Sequence, residues 1–139
     1  ARRTDPLAPP PGAGIVAEVA DALIFIDRAG VIRAWNAGAE ALFGFAAVQT
    51  LGQSVDMIIP PHLREAHWRG FERAMQRGAC SRPAEVRTTR GLHQDGRRLY
   101  VDMSFSVVKG AAGQVLGSAA MARDATARYL AEQAMRAGG

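Results

Sequence analysis

An imidazole set between two large apolar residues on one helical face is the feature of this sequence with the most chemical reach. His67 follows Leu63 by one turn and precedes Phe71 by another, so the three share a face that points inward. Burying an imidazole costs about 1–3 kcal/mol unless a ring nitrogen finds a partner. Two kinds of partner serve: a backbone carbonyl or buried side chain, or a metal, for which neutral imidazole is a common ligand. The other histidines are expected at the surface, His62 at the helix start and His93 in a turn.

The remaining reactive residues do not assemble into a catalytic set. Glu40 and Asp56 read as isolated, and Asp21, Asp27, Asp95 and Asp124 suit caps and turns. There is no nucleophile beside a base, and Gly12-Ala13-Gly14 precedes no strand–helix unit that makes a phosphate loop. An enzyme is therefore not expected. Cys80 is the single cysteine, which excludes an internal disulfide and a cysteine-based zinc site. The net charge of +4 comes mostly from scattered arginines, among them Arg28, Arg33, Arg69 and Arg90, so direct nucleic-acid contact is not expected either. No apolar run approaches the roughly 20 residues of a membrane span. With no basic-then-apolar leader, the expected compartment is the cytoplasm.

The elements that must position His67 follow from local patterning. Residues 1–14, with Pro6, Pro9, Pro10 and Pro11, read as a linker, and 15–20 as a short helical lead-in. Ala22 to Ile26 and Val31 to Trp35 form a hairpin across Asp27-Arg28-Ala29-Gly30. Asn36 caps a short helix that Gly44 stops. Pro60-Pro61 opens the longest helix, which runs to Arg77 and ends at Gly78. Strands follow at Glu85 to Arg90, Arg98 to Val108 and Val115 to Ala122. In the second of these Leu99, Val101, Met103 and Phe105 share a face. Asp124-Ala125-Thr126 starts an exit helix. The expected architecture is α+β: a five-stranded antiparallel sheet with helices on one face.

Four landmarks in this order are similar to PAS domains. They are the run from Asp27 and Gly30 through Trp35-Asn36 to Leu42-Phe43-Gly44-Phe45, the segment from Gly52 to Pro60, the turn Asp95-Gly96, and Arg123-Asp124-Ala125-Thr126. The resemblance covers roughly residues 15–128. It implies a PAS sensor over 15–126, followed by the start of a signalling helix over 127–139. It further implies an effector in the same polypeptide: a histidine kinase, a cyclic-dinucleotide enzyme or a transcription regulator. Ala125 stands where isoleucine is common, which is expected to loosen the joint between sheet and helix. Cys80 lies outside the Asn-Cys-Arg context of the flavin photosensors.

Within that family, the segment from Leu63 to Asp95-Gly96 resembles the haem PAS domains of oxygen sensors, of the FixL and direct-oxygen-sensor type. The resemblance makes His67 the proximal ligand of haem b and Arg87 the donor to the gas. Met103 and Phe105 then form the apolar wall of the distal face, and Phe71 packs against the cofactor. Glu85 stands where the phosphodiesterase type carries a second axial methionine, so ligation by Met is not implied. Arg73 and Arg82 are either partners of the haem propionates or surface charges. Two other readings stay open. In one the same cavity takes a small organic ligand, anchored by His67 and Arg87. In the other the module chiefly dimerises, through Ala127, Leu130, Ala131, Ala134 and Met135 on the exit helix.

Overall fold

The computed structural model describes residues 14, 20–80 and 85–138. Nearly all of the linker expected over 1–14, most of the lead-in at 15–20, and Arg82 lie outside them. Strands β1 (Ala22–Asp27) and β2 (Ile32–Trp35) lead to helices α1 (Ala37–Phe43) and α2 (Ala47–Thr50) and a 3₁₀ turn, Val55–Ile58. Helix α3 (Pro61–Arg77), strands β3 (Arg87–Leu92), β4 (Arg98–Lys109) and β5 (Val115–Asp124), and helix α4 (Thr126–Gly138) complete the order. The five strands make one antiparallel sheet in the order β2-β1-β5-β4-β3.

Strand alternation decides which face is the core. Ala22, Ile24 and Ile26 of β1 are buried, as are Leu99, Val101 and Met103 of β4 and Ala120 and Ala122 of β5. Ile32 and Phe43 close the core from the β2–α1 side. The hairpin turn is built by Asp27, whose Oδ1 accepts from the N–H groups of Ala29 and Val31 at 2.9 and 3.1 Å. Asn36 ties three segments together. Its Oδ1 accepts from Leu23 N and Ala39 N at 2.8 and 3.0 Å, and its Nδ2 donates to the Asp21 carbonyl at 2.9 Å.

Several expectations need correction. The strand expected from Glu85 runs from Arg87 to Leu92, because its register against β4 ends where Arg87 faces Met103. Helix α2 was not anticipated; four residues are too few to show periodicity. Glu40 and Asp56 hold structural partners that the chain did not reveal: Glu40 accepts from Ala47 N at 2.7 Å, and Asp56 from Trp68 Nε1 at 2.8 Å. Asp21 is no cap but an ion-pair partner of Arg123 at 2.9 Å. His93 is not exposed. Its side chain is only 16% accessible, because it packs over Gly44, where an added Cβ would lie 2.4 Å from the ring.

The joint to α4 is tied tightly despite Ala125. Ala125 is buried and donates to the Tyr100 carbonyl at 2.8 Å. Thr126 Oγ1 accepts from Tyr100 N at 3.1 Å, and Asp124 caps Thr126 N at 2.9 Å.

Candidate functional site

Helix α3 starts at Pro61, whose missing N–H is harmless in a first turn, and stops at Gly78, which adopts φ 69°. Two contacts fix its entry: Trp68 to Asp56, and Arg64 Nε to the Ile59 carbonyl at 3.0 Å. Between this helix and the sheet lies a cavity of about 610 Å³, a volume within the range of small-molecule and cofactor sites. On the helix side Leu63, Ala66, His67, Gly70, Phe71 and Ala74 line it, at spacings of three and four. The sheet contributes Ile24, Ile26, Met103, Phe105, Ser118 and Ala120. Small side chains on central strand β5 leave the depth that larger ones would fill.

His67 is the polar group of greatest consequence in this wall. Its Nδ1 is buried and has no hydrogen-bond partner. Burial holds the imidazole below its ordinary pKa, with Asp56 opposing the shift. The neutral form therefore predominates near pH 7, the form that ligates metals. Trp68 meets the ring edge-on at 4.7 Å between centroids, and Phe71 lies nearly parallel to it at 6.3 Å. The carbonyl or side chain that would satisfy Nδ1 internally is not there.

Arg87 lines the cavity from β3 and is itself exposed, which puts this residue on the cavity's open side. Thr88 lines it as well, and its hydroxyl donates to Asp102 Oδ1 at 2.7 Å on the outer face of the sheet. All five residues singled out for the site, His67, Arg87, Met103, Phe105 and Phe71, meet at this one cavity. Arg73 does not line it and faces solvent, so its position is that of a surface charge. Glu85 lines it as well and is exposed. Cys80 is a further lining residue, and burial raises its thiol pKa, which leaves it a weak nucleophile.

Sequence reading passed over Gly70. It sits within α3, where glycine costs about 1 kcal/mol relative to alanine. Elsewhere glycines have local reasons: an added Cβ at Gly38 would lie 2.3 Å from the Asp21 carbonyl, and Gly44 takes φ 79°. At Gly70 a Cβ would meet nothing within 4 Å. The available signal was a helix-interior glycine without a turn to explain it.

Among the described residues no three His, Cys, Asp or Glu side chains converge to hold a metal ion. Nor is any helix among the described residues long and apolar enough to cross a membrane.

The cavity thus lies between a five-stranded antiparallel sheet and a single long helix. The family model described as PAS fold matches residues 16–130, and the chain belongs to the PAS family. Over 53 residues, 38% of this chain, it is 36% identical to the sensor protein FixL of Bradyrhizobium diazoefficiens; that stretch spans 10% of the relative's length. The PAS domain of a protein from Colwellia psychrerythraea superposes with a TM-score of 0.71 at 28% identity, covering 83% of this chain and 94% of the other. An RNA-binding light-oxygen-voltage receptor shares the fold with a TM-score of 0.72 at 23% identity, over 98% of this chain and 39% of that one.

Proposed function

We propose that this PAS domain is a gas or redox sensor that holds haem b through His67. The observation that carries the reading is the His67 imidazole in the wall of a 610 Å³ cavity, a ring whose Nδ1 no group of the protein satisfies. With no convergent ligand set among the described residues, a bare ion has too few donors here. A macrocycle that brings its own nitrogens needs one imidazole from the protein, and its iron supplies the affinity for small diatomic gases. The partial match to FixL supports the same reading.

Each cavity residue then has a task. His67 would ligate from the helix side, with Phe71 lying nearly parallel to its ring. Met103 and Phe105, on the sheet side of the cavity, would keep water away. Arg87, on the open side, offers a charged donor to a ligand carrying partial negative charge. Its neighbour Thr88 is bonded to Asp102, and Asp102 to Arg128 of α4. A shift of β3 at the cavity is thereby felt at the exit helix, provided the ligand favours one arrangement over the other.

Hemin titration tests this directly. The expected result is a stoichiometric Soret band that His67→Ala abolishes. Absence of a Soret band, or equal uptake by His67→Ala, overturns it. In that event the cavity serves a small organic ligand, with His67 and Arg87 as polar anchors, and native mass spectrometry would detect it.

The domain is further proposed to act as a homodimer within a longer regulator. Support comes from the apolar stripe of α4, where Leu130 is 52% and Met135 78% exposed. Sedimentation equilibrium of the wild type and Leu130→Glu tests it, with a monomeric wild type as the opposing result.

A further inference from the structure

We infer that Gly70 is a ligand contact: a flat, largely apolar ligand in the cavity lies directly against the α3 backbone at this residue. The inference rests on the reading that the cavity takes a ligand, but not on the presence of iron. Gly70 is half-buried, lies within a 17-residue helix, and lines the cavity on the turn after His67. No atom lies within 4 Å of the position a Cβ would take, so no packing within the protein demands glycine. Its backbone is not in the left-handed region, so no turn demands it either. What the missing side chain leaves is open space, at a residue that lines the same cavity as the imidazole one turn away. A narrow or globular ligand has no use for this space; a broad planar one that ligates or hydrogen-bonds His67 slides over the helix at position 70.

Two variants and two probes test it. Gly70→Ala is expected to melt about 4 °C higher than wild type, because alanine favours the helix. It is also expected to bind hemin and iron-free protoporphyrin IX about tenfold more weakly. Gly70→Leu fills the space and is expected to abolish uptake of both, with an unchanged circular-dichroism spectrum. Should leucine prevent folding, the alanine variant still decides. Uptake by Gly70→Ala or Gly70→Leu as tight as wild type's overturns the inference, as does a Gly70→Ala protein that melts lower. A wild type that binds neither porphyrin overturns it too. If wild type binds both porphyrins equally and His67→Ala is indifferent to iron, the haem reading fails. The assignment of Gly70 then stands, provided the variants weaken both.

Discussion

The Arg128 guanidinium lies 2.9 Å from Asp102 Oδ1, joining the first turn of α4 to the outer face of β4. The same guanidinium donates to Thr88 Oγ1 at 3.1 Å, so one side chain spans the exit helix and two neighbouring strands. Tyr129 stacks on Tyr100 at 4.0 Å between centroids beside it. Arg128→Ala is expected to loosen the joint of α4 to the sheet while changing overall stability little, as for other exposed ion pairs. Amide exchange should quicken over the first turns of α4 while the core strands stay protected. Unchanged protection there would show that the pair anchors nothing.

The same pair sets an acid limit. Hydrogen bonds from Arg128, then from Thr88, hold the Asp102 carboxyl down to about 2. A carboxylate whose pKa is depressed on folding stabilises the fold above its unfolded value near 4, and that contribution fades as pH falls towards 2. Protection of α4 is therefore expected to weaken between about pH 4 and 2. Asp102→Asn should remove that dependence. A variant with the same acid profile as wild type would assign it to another group.

Asn36 serves three backbone groups at once, two N–H donors and one carbonyl. Asn36→Ala leaves them without these partners in a nearly closed environment, and is expected to cost about 2–3 kcal/mol. Urea unfolding would measure it as a lower midpoint at unchanged slope. A loss under about 0.5 kcal/mol would mean that water replaces the side chain.

His67 is expected to be a liability to the ligand-free protein. Replacing a half-buried imidazole whose Nδ1 is buried without a partner removes a desolvation cost, so His67→Leu should raise stability by about 1 kcal/mol. Thermal unfolding of wild type and variant, both stripped of ligand, would read it. A destabilised variant would mean that the ring's packing against Trp68 and Phe71 outweighs the stranded nitrogen.

Where regular spacing carried the information, the fold was legible from the chain. Alternation gave the core face of β4, and the three-and-four spacing of Leu63, His67 and Phe71 placed the imidazole at the cavity wall. Asn36, Gly44 and Gly78 marked helix ends because caps and left-handed stops demand particular residues. What stayed hidden had no periodic mark. Helix α2 is shorter than a period can reveal, and the contact of His93 with Gly44 joins residues from distant segments. Gly70 escaped notice because empty space has no residue type of its own.

The strand order also brings the two ends of the domain together. Ala22, where β1 begins, faces Ala122 near the end of β5, in the middle of the sheet. Entry and exit are thus about 5 Å apart, one strand spacing. Everything between them, the cavity and all its walls, hangs from the backbone like a purse from its drawstring. Any rearrangement of the cavity walls would therefore be felt at both ends of the domain as a tug on two adjoining strands, without any need for the ends to move apart.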